Sequence, residues 1–139
     1  MILESILDNQ YPYATFHDSI LYNIDVDYKD RVAKFKIDML VGDPSEKDID
    51  KREAYAIGIL TFINFIFCTI DPPDPSYNFI DTEGLWIDEG PITNLKGKSL
   101  PNDLLEKIPA DAIARYFFIA DWNSFIYVVS ESVEFSWAK

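Results

Sequence analysis

Ser19-Ile20-Leu21-Tyr22-Asn23-Ile24-Asp25-Val26-Asp27-Tyr28 and Val32-Ala33-Lys34-Phe35-Lys36-Ile37-Asp38-Met39-Leu40 decide the fold of this chain. In the first segment Ile20, Tyr22, Ile24, Val26 and Tyr28 alternate with Asn23, Asp25 and Asp27. In the second, Ala33, Phe35, Ile37 and Met39 alternate with Lys34, Lys36 and Asp38. A period of two belongs to a strand with one buried face, because successive side chains of an extended backbone point to opposite sides. The polar link Lys29-Asp30-Arg31 has the length of a tight hairpin connection. The segments are therefore expected to pair antiparallel, with acids on one outer face opposite lysines on the next.

Beyond this hairpin, residues 42–53 open with Gly-Asp-Pro-Ser, continue through charged residues and read as a solvated loop. Ala54 to Ile70 carries no charge and is crowded with Ile, Phe, Tyr and Thr, which favours strand over helix. Its length suggests a bend or break near Thr61 to Asn64, with a buried helix as the alternative. It is marginal for a bilayer span, which needs about 20 apolar residues, and its flanks show no positive-inside contrast.

Asp71-Pro72-Pro73-Asp74-Pro75-Ser76 is a rigid breaker. Extended pieces are expected at Tyr77–Ile80 and Leu85–Ile87, and Asp88-Glu89-Gly90-Pro91 reads as a turn. One short helix is expected within Ser99–Ile108, with Ser99 as N-cap and Pro101 in its first turn. Arg115–Ala120 and Phe125–Val129 read as strands around a turn at Asp121-Trp122-Asn123-Ser124. Val133, Phe135 and Trp137 then alternate with Glu134 and Ser136. The expected fold is mainly β (α+β with minor helix): one domain over residues 1–139, built as an antiparallel curled sheet or small open barrel with one or two short helices.

Composition agrees with a folded core, since 48% of residues are apolar and 15% aromatic. The single cysteine, Cys68, sits in the apolar run Phe65-Ile66-Phe67-Cys68 and reads as a buried, inert thiol. The chain has no internal disulfide, and its opening residues lack the basic-then-apolar pattern of a signal peptide, so a cytoplasmic location is expected. Net charge is −12, and residues 53–95 hold Glu53, Asp71, Asp74, Asp81, Glu83, Asp88 and Glu89 with no lysine or arginine. A field of this sign repels phosphate and disfavours nucleic acid, whereas it suits a basic protein partner.

Motifs that carry chemistry are scarce. One cysteine and one histidine do not make a structural zinc site, the acidic turns lack the spacing of a calcium loop, and the glycines form no phosphate-cradling pattern. No cofactor or metal is expected. The sole histidine, His17, is followed by Asp18 and Ser19, but neighbours in an extended chain point apart. His17, Asp18 and Asp121 are therefore expected to serve structure or ligand contact, with a hydrolytic or small-molecule-binding site using His17 with Asp18 or Asp121 as the alternative. Partner contacts are expected at Asp81, Glu83, Asp88 and Glu89 in the acidic turns, and at Trp122 in the last one.

Phe16-His17-Asp18-Ser19-x-Leu21 resembles the opening of small bacterial β-rich domains, mostly of unknown function, in which an aromatic and His-Asp-Ser or His-Asp-Ala precede the first hairpin. Phe118-Ile119-Ala120-Asp121-Trp122, followed by Val133-Glu134-Phe135, resembles their closing turn and last strand. Some of these domains are immunity proteins against polymorphic or contact-dependent toxins. The resemblance implies a cytoplasmic, non-enzymatic protein that binds and blocks a toxin domain. A basic nuclease toxin would be steered toward an acid-rich surface.

Overall fold

A computed structural model describes residues 2–78, 83–92 and 106–138. Six strands close into an antiparallel barrel: β1 (Thr15–Asp27), β2 (Val32–Leu40), β3 (Tyr55–Ile70), β4 (Leu85–Pro91), β5 (Ile113–Ile119) and β6 (Ser124–Trp137). Around the barrel the order is β1-β2-β3-β6-β5-β4. Two three-stranded meanders are thus joined first strand to first strand and last to last. Of the two expected forms, curled sheet or small barrel, the chain takes the barrel, closed where β4 pairs with β1 through Ser19↔Ile87, Ile20↔Trp86 and Leu21↔Leu85. Closure removes the exposed strand edges that an open curled sheet would leave.

The hairpin forms as its alternation predicts. Asp25 lies opposite Lys34 and Ile24 opposite Phe35, and Ala33, Phe35, Ile37 and Met39 are all fully buried. Inside the barrel Phe35 meets Phe62 edge-on with centroids 5.2 Å apart, and Phe117 at 5.0 Å. Leu3, in a 3-10 turn (Leu3–Ile6), joins the same core.

β1 departs from its expected face. Its pairing with β2 shifts register between Thr15 and Ile20, and again between Leu21 and Asn23. Each extra residue reverses the side on which later side chains fall. Phe16, Ser19 and Leu21 are buried and Ile24 and Val26 pack on the core. Tyr22 is instead exposed, and Tyr28 is 76% exposed in the turn. The five residues expected on one inner face are divided between the two sides and the turn.

The stretch expected at Ala54–Ile70 is one strand over Tyr55–Ile70 rather than helix, with an irregularity at the end of the expected Thr61 to Asn64 window. Asn64 has φ 55 and the pairing with β6 slips between Phe65 and Phe67. The loop expected at residues 42–53 contains one helical turn, α1 (Ile49–Arg52), capped by the Asp48 carboxylate accepting from the Asp50 amide. Asp88-Glu89-Gly90-Pro91 is strand, not turn, since all four residues pair with β5. Gly90 leaves room for the Tyr116 ring, since a Cβ there would lie 2.6 Å from the Tyr116 hydroxyl. β5 starts two residues before the expected 115–120 and ends one residue earlier, β6 extends the expected 125–129, and the alternation through Trp137 continues the same β6.

The helix expected in 99–108 falls, except for its last three residues, outside the described residues, as do positions 79 and 80 of the extended piece at 77–80. Among the described residues no helix is long and apolar enough to cross a membrane.

Candidate functional site

The first irregularity of β1 builds a polar cluster on the surface. Asp18 adopts φ 54, a left-handed conformation that aspartate accepts more readily than most residues. The His17 amide donates to Thr15 Oγ1 at 3.1 Å. In regular strand His17 and Asp18 would diverge. Here they lie together, with His17 Nε2 3.3 Å from Asp18 Oδ2. Closure by β4 adds Asp88, whose Oδ1 contacts His17 Nδ1 and accepts from the Asp18 amide at 3.3 Å. The side chains stay open to solvent, at 68% for His17, 60% for Asp18 and 43% for Asp88. His17 and Asp18 are therefore part of β1, rather than ahead of it, and each imidazole nitrogen faces a carboxylate.

Further aromatics and acids extend this cluster across β1, β2 and β3. The Tyr22 hydroxyl donates to Asp38 Oδ2 at 2.9 Å, and that hydrogen bond, partial burial and the charges of Asp38 and Glu83 hold the phenol above its usual range. The Tyr55 hydroxyl donates to the Asp18 carbonyl at 3.3 Å. Its phenol is also raised, by burial first and then by Asp18, Glu53 and Asp38. Ile20 lies beside both Trp86 and Asp38, and Gly84 brings the chain against Ile20 and Tyr22. One outer face thus carries Trp86, Tyr22 and Tyr55, exposed by 43%, 38% and 36%, among Asp18, Asp38, Glu53, Glu83 and Asp88.

The expected partner residues divide. Glu83 is exposed and Asp88 partly so, both on this face, while Asp81 lies outside the described residues. The Glu89 side chain turns into the barrel onto Arg115. Trp122 is half-buried against the core, with its ring 6.3 Å from Tyr77, rather than displayed by its turn. Asp121 is exposed in that turn, and among the described residues no hydrogen bond or ion pair joins it to His17. Ser19 is fully buried and its hydroxyl donates to the Thr15 carbonyl at 2.9 Å, away from nucleophilic use.

Two concavities border the face. One of about 380 Å³ runs from His17 past Thr15, Leu40 and Pro44 to Arg52 and Glu53. The other, about 310 Å³ and mostly apolar, lies between Tyr22, Ile70, Leu85 and Trp122 at one mouth of the barrel.

Asp38 and Tyr55 were not singled out as contacts by sequence. The signal available was the alternation of β2, which points Asp38 outward. The partnership of Asp88 with His17 spans 71 positions and leaves no local trace. A small closed antiparallel barrel with an acidic, aromatic outer face is the class that fold and site define. No family model matches the chain, and neither a curated protein nor a solved structure matches it.

Proposed function

We propose that this protein is a non-enzymatic, cytoplasmic protein-interaction module whose acidic, aromatic face receives a basic protein. The observation that carries the reading is the grouping of Trp86, Tyr22 and Tyr55 with Asp18, Asp38, Glu83 and Asp88 on one side of the barrel. Tryptophan and tyrosine supply large contact area at small entropic cost, and they dominate interface hot spots. Their faces attract guanidinium and ammonium groups, and carboxylates beside them accept the same groups' hydrogen bonds. The net charge of −12 adds long-range steering toward a cationic partner.

The resemblance of Phe16-His17-Asp18-Ser19-x-Leu21 to domains that include toxin-immunity proteins favours a basic toxin domain as that partner. The hydrolytic alternative has less support, because the adjacent hydroxyl of Ser19 is buried and directed to backbone.

Position-specific photo-crosslinking tests the reading. A photoreactive residue replacing Trp86 should capture a basic protein in the native cell, while the same residue replacing the exposed Ile66 should not. Capture from both positions alike, or of an acidic protein at Trp86, would contradict it.

A further inference from the structure

We propose that His17 Nε2 and the Asp18 carboxylate are the protein ligands of a zinc-class divalent transition cation, with Asp88 holding the imidazole in place. This inference is independent of whether the surrounding face has a protein partner.

The argument starts from the hydrogen-bond inventory of one ring. Neutral imidazole has a single N–H, so a carboxylate at each nitrogen leaves one lone pair facing another lone pair. The inventory is met with the N–H on Nδ1, where Asp88 Oδ1 contacts the ring and also accepts from the Asp18 amide. Nε2 then carries the lone pair, with Asp18 Oδ2 3.3 Å away. Two acceptors at that distance can share a cation, either a proton or a metal ion.

The spacing suits a metal. Zinc binds nitrogen and carboxylate oxygen at about 2.0–2.1 Å, so two ligand atoms of a tetrahedron lie about 3.3–3.4 Å apart. A carboxylate on the remote ring nitrogen is the usual outer partner of a metal-bound histidine, because it fixes the tautomer and raises ligand basicity. One ligand atom from each of His17, Asp18 and Asp88 falls within 4.8 Å of the others. The exposure of His17 and Asp18 leaves the remaining coordination positions to water or to a group from another molecule. Imidazole with carboxylate selects a borderline cation over magnesium, which prefers an all-oxygen shell.

The chain has one histidine, so its imidazole proton signals report on this site alone. Full-length protein is titrated with zinc chloride, and separately with magnesium chloride, by calorimetry and by nuclear magnetic resonance. The expected result is one zinc bound per chain, with the His17 ring signals shifting in step, and no comparable response to magnesium. His17→Ala and Asp18→Asn should each weaken zinc binding at least about tenfold, and Asp88→Asn by about 10- to 100-fold. Glu131→Gln, an exposed acid elsewhere, should leave it unchanged. Ring signals that do not move at millimolar zinc, or binding that survives His17→Ala, would overturn the proposal: a proton then sits between Nε2 and Asp18, and any bound zinc belongs to the acidic surface. The ring signals of the unaltered protein decide the question even where a variant misfolds.

Discussion

Glu89 and Arg115 form an ion pair inside the barrel, where their side chains are 4% and 9% exposed. Burial pushes the Glu89 carboxyl above its ordinary range, and the charge and hydrogen bond of Arg115 pull it down by less, with Glu4 adding a further upward push. The pair is compensated but not free of cost. Removing one partner strands a buried charge, so Arg115→Met is expected to destabilise the fold by about 3 kcal/mol or more. The double change Glu89→Leu with Arg115→Met should recover most of that loss in urea denaturation, since an apolar pair carries no desolvation cost.

A pH dependence follows from the same pair. Because the folded state holds the Glu89 proton more tightly than the unfolded chain does, this group lowers stability as pH rises through the window between its ordinary and raised values. Stability should therefore be regained by wild type, relative to the double variant, as pH falls from neutrality into the ordinary carboxylate range. Denaturation midpoints of the two proteins at several pH values measure this. A gap that widens against wild type on acidification would reverse the assigned sign.

Phe35→Ala empties a fully buried position between Phe62 and Phe117. A loss of about 3–5 kcal/mol is expected, against less than about 0.5 kcal/mol for the solvent-facing neighbour Lys36→Ala. Equal midpoints for the two variants would mean that the faces of β2 are reversed.

Asn64 holds the bend of β3 at φ 55. Asn64→Gly should be close to neutral, whereas Asn64→Val places a β-branched residue in a left-handed conformation and should cost about 1–3 kcal/mol. Thermal unfolding of the two variants distinguishes this from a site where side-chain size alone matters.

Burial raises the Cys68 thiol to about 11. The thiolate is the reactive form, so at pH 8 the folded protein should label with a disulfide reagent about a hundredfold more slowly than the urea-unfolded chain. Equal rates would place Cys68 in solvent.

Sequence alone carried the strands whose alternation is unbroken. β2 was legible because each apolar residue from Ala33 to Met39 falls on the inner side without interruption. The bend of β3 was legible as an excess of length. β1 was misread at Ile20 and Tyr22, because a bulge leaves no compositional mark yet reverses the side chains that follow it, until the second irregularity returns Ile24 and Val26 to the core. Asp88-Glu89-Gly90-Pro91 carries turn residues for tertiary reasons. Glu89 faces Arg115 and Gly90 makes room for Tyr116, and neither partner is near in sequence. The candidate site was half legible: His17-Asp18 stood out as the only histidine beside an acid, but Asp88 reaches it through barrel closure, and Asp38 and Tyr55 through pairing around the barrel.

The claim that the acidic, aromatic face receives a basic protein is tested most directly by association kinetics with the partner captured through Trp86. The rate constant is measured at low and high ionic strength, for wild type and for a variant carrying Asp18→Asn, Asp38→Asn, Glu83→Gln and Asp88→Asn. Steering by these charges predicts a wild-type rate that falls as salt screens the field, and a variant that is both slower and less sensitive to salt. A wild-type rate indifferent to salt and unchanged by the four substitutions would contradict the account.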